Sequence, residues 1–304
     1  MRQNKLLIVL YTCWLACLSL TSCTYDYFED ETNYIVFVPE VMNNTVSDCR
    51  VMVYNEAGML VKARHASSPF DKDPRIAKGQ FAFRLPVGGT YKVYGYTNTD
   101  SLLFTDSSSL DQAAFRLSDN VSGKQRYNQP PDLFVEKLTP SIIRPGYLYV
   151  DTLQTQRYTG RITVRFRKLP AYASQIKSVR LSAQGIASKQ HLKDDTWPTR
   201  LSENDVMYHQ GELGSQPDPN MLEVDYRYFP SIQNGFTKLD LTFLDAAGNT
   251  LSSIPVEVVD PKTQVPLRLL SGQRIIIEID SGFVVNISVV GWDENIRSGD
   301  TNLE

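Results

Sequence analysis

The chain of 304 residues carries a formal net charge of −3, with 42% hydrophobic and 21% charged residues. That length is enough for about two ordinary domains, each able to bury its own core. The near-balanced charge excludes the broad positive field that nucleic-acid binding needs, and three His and four Cys leave little material for a multi-metal or redox centre. The composition therefore favours a folded protein that is non-catalytic, or at least metal-free, and nothing in it calls for a cofactor.

The first 22 residues are predicted to be a signal peptide. Arg2 and Lys5 form a positive start, and residues 6–20 are uncharged and mostly apolar. This stretch is short for a permanent helix across a hydrocarbon core of about 30 Å. It is followed by Leu20, Thr21, Ser22 and Cys23.

These four residues resemble the bacterial lipobox, in which an aliphatic residue and two small residues precede an invariant cysteine. The resemblance implies that Leu20 and Thr21 are recognised by the signal peptidase and that the chain is cut between Ser22 and Cys23. It also implies a diacylglycerol on the Cys23 sulfur and an acyl chain on the new amino group, which together anchor a protein firmly in a membrane. The alternative is an ordinary secretory signal in which Cys23 is incidental.

Residues 23–33 are predicted to be an acidic tether, with four carboxylates at Asp26, Glu29, Asp30 and Glu31. Such a run is typical of a solvated spacer that holds a globule off a lipid surface. It also resembles the export signal of surface lipoproteins in gut and oral anaerobes, which implies a lipid-anchored, surface-exposed position on the outer membrane.

Cys49 is the one thiol left once the signal is removed and Cys23 is acylated. A disulfide within the mature monomer is therefore excluded. Cys49 is interpreted as a buried structural cysteine beside the strand 51–54, the alternative being a catalytic nucleophile for which no His partner is evident.

From residue 34 onward the dominant hydrophobic period is two, which predicts strands separated by Gly, Pro, Asn and Asp. In the strand 162–166 the apolar residues alternate with Thr163, Arg165 and the following Arg167, so its cations are expected to face water. Residues 110–117 are the one candidate for a helical turn or two. The predicted strands cover residues 34–38, 51–54, 81–85, 91–96, 162–166, 179–183, 222–228, 239–243, 274–279 and 284–290.

A weak internal repeat supports two similar domains. Residues 53–58 resemble residues 243–248, because in both a strand ends at Asn or Asp and an Ala-Gly pair makes the turn. Residues 84–88 resemble 268–272 in the same way. The sequence therefore predicts tandem β-sandwiches over 34–150 and 151–304, the second with a polar tail after Trp292.

No motif for catalysis or ligand binding survives inspection. His65, His191 and His209 have no metal-ligand spacing, and no serine sits in a Gly-x-Ser-x-Gly elbow. Residues 86–90 lack the Gly-Lys-Ser/Thr of a phosphate-binding loop. The sequence therefore predicts no catalytic, cofactor-binding or metal-ligating residue, and no enzyme.

The features together resemble the fimbrial anchor family, the lipoprotein subunits at the base of outer-membrane fimbriae in gut and oral anaerobes. The resemblance rests on the lipobox and on residues 48–61, 84–93, 266–279 and 289–292. It implies an all-β fold of two transthyretin-like sandwiches, each of about seven strands. It also implies a non-catalytic role in adhesion, in which the chain holds the fimbrial shaft to the outer membrane and limits its length.

The expected partners are a fimbrial shaft subunit, bound by β-strand addition, and the outer membrane, bound through lipid. Neither nucleic acid nor a small-molecule substrate is expected. Two alternatives stay open: a shaft or tip fimbrillin, and a glycan-binding surface lipoprotein.

Overall fold

A computed structural model describes residues 32–118, 126–139, 142–167, 175–184, 186–193, 197–200, 206–212, 221–233, 238–260, 262–279 and 285–292. The described chain is built almost wholly of strands, which confirms the all-β fold predicted from the period-two patterns. Within these residues, no helix is long and apolar enough to cross a membrane.

Twenty strands are described, together with one turn of α-helix, α1 (Pro39–Met42), and two 3-10 turns at Phe70–Lys72 and Ile76–Lys78. The first eleven strands are β1 (Tyr34–Phe37), β2 (Asp48–Asn55), β3 (Leu60–Ser67), β4 (Gln80–Phe83), β5 (Tyr91–Thr97), β6 (Leu102–Thr105), β7 (Ala114–Leu117), β8 (Arg126–Tyr127), β9 (Phe134–Leu138), β10 (Tyr149–Thr152) and β11 (Gln156–Arg157). The other nine are β12 (Gly160–Arg167), β13 (Ser178–Gln184), β14 (Lys189–His191), β15 (Val206–Glu212), β16 (Met221–Tyr228), β17 (Lys238–Leu244), β18 (Thr250–Glu257), β19 (Gln273–Ile279) and β20 (Val285–Gly291).

Two sets of strands have the same connectivity. In the first set the sheets have the orders β10-β1-β4 and β9-β5-β2-β3, and in the second set β19-β12-β16 and β18-β17-β13-β15. The first strand of each set, β1 or β12, pairs in parallel with the last strand of its set and antiparallel with the fourth. Each set thus contains seven described strands in one topology, as the resemblance implied.

Additional strands extend this common plan and tie the two sets together. β20 continues the second set beyond β19, and β11 continues the first beyond β9. β8 pairs with β15 of the second set, and a three-stranded sheet joins β6 and β7 to β14. The predicted division at residue 150 falls within β10, which pairs with β1, and the division into two domains stays a prediction.

The sequence repeat matched strands that are not equivalent in this topology. Residues 53–58 lie at the β2–β3 turn, whereas 243–248 lie at the β17–β18 turn, whose counterpart in the first set is the β5–β9 connection. The two turns are nevertheless alike in geometry. Gly58 and Gly248 adopt φ of +73° and +83°, which a side chain would disfavour, and each donates its N–H to the carbonyl of the Asn or Asp that ends the strand. The similarity therefore identified a shared hairpin turn rather than the repeat itself.

Two clusters of buried apolar residues form the interior. The first lies between the sheets of the first set and includes Tyr34, Val36, Cys49 and Phe81. The second fills the second set and continues through β7 to the opposite face of β2 and β5, where Tyr54 and Tyr94 pack edge to face. Because one cluster spans residues from both sets, each set stabilises the other.

The predicted helical turns at residues 110–117 are wrong, since Ala114–Leu117 form strand β7. β7 is hydrogen-bonded to β6 on one side and to β14 on the other, and Ala114, Phe115 and Leu117 are buried. β6 lies just before β7 in the chain, whereas β14 comes from a distant segment and pairs with the other side of β7. That pairing outweighs the local pattern.

The expectation that the cations of β12 face water is also wrong for Arg165, while the side chain of Arg167 lies outside the described residues. Arg165 is buried, with its Nε 2.6 Å from Glu223 Oε2 on β16 and its Nη1 3.9 Å from Glu278 Oε1 on β19. Arg274 on β19 is buried as well and donates to Glu223 and to the Thr163 hydroxyl. The strand register sets these opposite charges side by side, so the outer face of the sheet carries a row of ion pairs.

Candidate functional site

The predicted lipid-attachment residues, Leu20, Thr21, Ser22 and Cys23, lie outside the described residues. The structure describes the chain from Thr32, at the end of the predicted tether. Lipidation therefore stays a prediction, and the structural evidence begins where the chain enters the first sheet.

Asn33 fixes this point of entry. Its backbone N–H donates to the carbonyl of Phe83, and its carbonyl accepts from the N–H of Tyr149. Its side chain donates to the Leu85 carbonyl at 2.7 Å and accepts from the Leu85 N–H at 2.8 Å. Four hydrogen bonds thus hold one residue between the end of β4 and the start of β10.

β1 lies at the centre of its sheet rather than at an edge. All four of its residues have Cα partners on both β10 and β4. Tyr34 and Val36 point inward and are fully buried. Because β10 and β4 are joined through β1, loss of this strand would leave an open groove between them.

A long-range hydrogen bond holds the start of β1. The Tyr34 hydroxyl donates to Asp151 Oδ2 on β10 at 2.9 Å. Burial, and then the adjacent Asp151 carboxylate, raise the pKa of the Tyr34 hydroxyl well above its usual range. The hydroxyl therefore stays protonated and remains a donor, so this contact also fixes the register of the parallel pair.

Sequence reasoning missed Asn33 and Asp151 as positioning residues. Asp151 lies 117 positions from Tyr34, and no short-range pattern reveals a pair at that separation. For Asn33, its place directly before an apolar strand is the available signal, because Asn can bond to neighbouring backbone.

The structure places Cys49 inside the first core. Its thiol is free and buried on β2, and burial raises the pKa of that thiol, with a smaller contribution from Asp48. A thiol that stays protonated and away from solvent is a poor nucleophile. The structural interpretation of Cys49 therefore fits its surroundings.

The three histidines are dispersed over β3, β14 and β15. His65 Nε2 lies 2.9 Å from Asp48 Oδ2, and Asp48 also accepts from the Thr99 hydroxyl. Within the described part of the chain, no group of three His, Cys, Asp or Glu side chains is arranged to hold a metal ion.

A cleft of about 430 Å³ lies where the two strand sets meet. Tyr94, Tyr96 and Phe115 line its floor, and all three are buried. Tyr158, also at the cleft, donates its hydroxyl to Gln190 Oε1 at 2.7 Å, and burial raises the pKa of Tyr158 well above its usual range. The ring of Phe115 packs edge to face against the rings of Tyr96 and Tyr158.

Arg157 borders this cleft and is held on three sides. Its guanidinium makes two hydrogen bonds to the Asp132 carboxylate, at 2.8 and 3.0 Å, and lies 4.8 Å from the Phe134 ring centroid and 4.2 Å from that of Trp292. A cation stacked on two rings and paired with a carboxylate is strongly positioned. Arg157 thus fastens the end of β20 to the segment that joins the two strand sets.

Comparison with known proteins finds this fold in solved structures of proteins from Bacteroides. A candidate polysaccharide-binding protein (DUF1812) from Bacteroides thetaiotaomicron matches over 87% of this chain and 98% of its own, with a TM-score of 0.55 and 17% identity. A candidate cell adhesion protein from Bacteroides eggerthii matches over 85% of this chain and 95% of its own, with a TM-score of 0.55 and 10% identity. At these identities the matches show the fold.

Fimbrial proteins are also among the similar structures. The fimbrial anchor protein Mfa2 from Porphyromonas gingivalis matches over 85% of this chain and 97% of its own, with a TM-score of 0.49 and 15% identity. No protein-family model matches the chain, and no curated protein matches it.

Proposed function

We propose that this chain is a non-catalytic lipoprotein that anchors a fimbrial shaft at the outer face of the outer membrane and limits the length of the shaft. The observation that carries the proposal is the position of β1. This strand fills the centre of its own sheet, and its first residue lies eleven positions after Cys23, the predicted acylated residue.

The physical basis is β-strand addition, in which a segment of one subunit fills a groove in the sheet of the next. A shaft subunit must give up its own first strand to open that groove. In this chain β1 is held by Tyr34, Val36 and the Asn33 hydrogen bonds, and it is joined to a residue that the proposal places in lipid. A subunit that keeps its first strand ends the series, which limits the length of the shaft.

In this proposal Leu20 and Thr21 direct processing, cleavage falls between Ser22 and Cys23, and Cys23 carries the lipid. The acidic tether of residues 23–33 spans from the membrane to the sheet. The protein partner is the basal shaft subunit, and the mating strand is left unassigned.

Two alternative functions can be separated from this one. A shaft or tip fimbrillin would lose its first strand, so its mature N-terminus would lie downstream of β1. A glycan-binding lipoprotein would bind through exposed aromatic faces; Tyr94, Tyr96 and Phe115 at the cleft are buried, whereas Tyr147 and Trp197 are exposed. Saccharide binding by the soluble fragment 24–304 would identify this alternative, and the position of β1 is what supports the anchor.

The test replaces the predicted lipid-bearing residue in cells that make fimbriae. Cys23→Ala is expected to release fimbriae into the medium, and mass analysis of the wild-type chain should find an acylated N-terminus at Cys23. Cys49→Ala is the matched control, because it removes the other mature cysteine, which lies in the core, and should leave fimbriae on the cells. Cells of the Cys23→Ala strain that kept their fimbriae would overturn the proposal.

A further inference from the structure

Five exposed apolar side chains lie on the loop after β4, on the loop before β10 and on β10 itself, and hydrogen bonds join the two loops. We name this group the apolar rim: Val87 (55% exposed), Ile142 (51%), Tyr147 (64%), Leu148 (57%) and Val150 (60%). Exposed apolar side chains are ordinary when scattered singly, but a contiguous group indicates a surface that contacts something.

Backbone hydrogen bonds hold the rim together. The Gly88 N–H donates to the Ile143 carbonyl at 2.7 Å, and the Ile143 N–H donates to the Gly89 carbonyl at 3.3 Å. The loop from 142 to 148 is closed by the Arg144 N–H, which donates to the Tyr149 hydroxyl at 3.2 Å. The rim is therefore a formed surface that two adjacent loops and the start of β10 present together.

The chain enters its first sheet beside this rim. Asn33 bonds to Leu85, two positions before Val87, and to Tyr149, directly after Leu148. Asn33 lies ten positions after Cys23, which limits their Cα separation to about 35 Å when the chain is fully extended. Segments of the apolar rim therefore lie on two sides of the residue at which the chain that follows Cys23 enters the fold.

We infer that the apolar rim rests on the bilayer that holds the acyl chains of Cys23, so that the anchor is seated on the membrane as well as tethered to it, and is not held off the lipid surface by the acidic tether. The inference rests on the proposed function, because it takes the lipid at Cys23 as given. The shaft must grow away from the membrane, so the surface nearest the lipid is not available to face it.

The chemistry of the rim matches a membrane interface. Aliphatic side chains such as these can insert a short distance into the bilayer, to the level where headgroups meet acyl chains. A tyrosine next to them can keep its hydroxyl among the headgroups. Arg144, in the same loop, is exposed and can reach phosphate oxygens. The corresponding edge in the second strand set is covered by β20, and no described strand covers β10.

The experiment places a probe on the rim in the acylated chain. Leu148→Cys gives a reactive thiol, because Cys49 is buried and Cys23 is consumed by lipid. The protein is labelled with a polarity-sensitive dye and reconstituted in vesicles of phosphatidylethanolamine and phosphatidylglycerol that carry a nitroxide lipid. Val265→Cys is the matched control, with 58% exposure at a position in the second strand set.

Quenching at position 148 is expected to exceed quenching at position 265 by at least about five-fold, with a blue shift of the emission. Mass analysis of the same sample establishes whether Cys23 is acylated. An acylated chain with equal quenching at both sites would overturn the inference and leave the proposed function standing, whereas an unacylated wild-type chain would overturn the proposed function.

A second measurement tests the rim without the acyl chains. In the Cys23→Ser chain, Tyr147→Ser with Leu148→Ser should lower partition into the same vesicles by at least about ten-fold, because two large apolar side chains no longer enter the bilayer. If the emission of a dye at position 148 shifted with protein concentration in the absence of vesicles, a second copy of the chain would be binding the apolar rim. That result would contradict the inference.

Discussion

β1 and β12 occupy the same place in two strand sets of the same connectivity, yet their surroundings differ. β12 has eight residues and an outer face of paired charges, and its parallel neighbour β19 is covered by β20. β1 has four residues and carries half-buried Ile35 and Phe37 on its outer face, and no described strand covers its parallel neighbour β10. The same topology thus has its parallel edge strand covered in the second set, by β20, and uncovered by any described strand in the first set. The shared topology alone therefore does not determine whether this edge is open.

The largest expected effect on stability follows from removing a buried side chain of β1. Tyr34→Ala should lower the free energy of unfolding by about 3–5 kcal/mol, because it leaves a cavity in the first core and removes the bond to Asp151. Urea denaturation followed by circular dichroism measures this loss. Tyr147→Ala, on the exposed rim, is the control and should change the free energy by no more than about 0.5 kcal/mol. Equal losses in the two variants would contradict the placement of β1.

Breaking the charge row of β12 and β19 should cost somewhat less. Arg274→Ala is expected to lower the free energy of unfolding by about 3 kcal/mol, because Glu223 and Thr163 lose a buried partner. Arg274→Met keeps more of the packing and should lose less. Lys62→Ala, an exposed cation on β3, serves as the control. A loss under about 1 kcal/mol for Arg274→Ala would show that the row is not stabilising.

The clamp at the entry to β1 has a smaller expected effect. Asn33→Ala removes two side-chain hydrogen bonds to Leu85 and should cost about 1–2 kcal/mol. The local effect of Asn33→Ala should be clearer: hydrogen exchange of the backbone amides of β1 should become faster, while that of β12 should not change. The exposed Asn43→Ala is the control. Unchanged protection at β1 would mean that the backbone bonds of residue 33 suffice.

The smallest expected effect compares the two similar hairpin turns. Hydrogen bonds from Asn249 and, less strongly, from Ala247 and Gly248 lower the pKa of the Asp245 carboxyl. The stability that these bonds give to the turn is therefore present above the ordinary aspartate pKa of about 4, and it is lost as the pH falls through the lowered pKa. The β2–β3 turn has Asn55 in this place, so it should not respond once the neighbouring carboxylate is removed by Glu56→Gln. Amide chemical shifts of residues 247–249 and 57–59 against pH would measure both turns, and Asp245→Asn should abolish the response. A matching response at residues 57–59 would contradict this account.

The sequence predicted strands well where apolar residues alternate with other residues. β17 shows this alternation in its burial as well, whereas β4 and β12 are buried on both faces, and all three positions were predicted to within a few residues. Pairing could not be predicted in this way, because the partners of β7 and the counter-ions of Arg165 come from distant segments. The similarity between residues 53–58 and 243–248 reflects a shared type of turn, because the β2–β3 and β17–β18 turns join strands that are not equivalent in the two sets.

The candidate site was predictable in part. The lipobox and the tether are predicted from short patterns near the start of the chain; the lipobox and residues 23–31 of the tether lie outside the described residues, so these predictions stay untested. The role of Asn33 and the grouping of Val87 with Tyr147 depend on two loops brought together by the fold. Side chains about 60 positions apart carry no common pattern, so this surface emerges from the structure alone.

The position of β1 between two neighbours also has a mechanical consequence. A force on the N-terminal segment acts on β1 at Asn33, along the direction of the strand. The hydrogen bonds from β1 to β4 are perpendicular to this force, and the slanted hydrogen bonds from β1 to β10 lie on the other side of the strand. The load is therefore shared by all of these bonds at once, as in shear, instead of opening them one by one as in a zipper. A fibre fastened in this way would resist tension in the very direction in which flow across a cell surface would apply it.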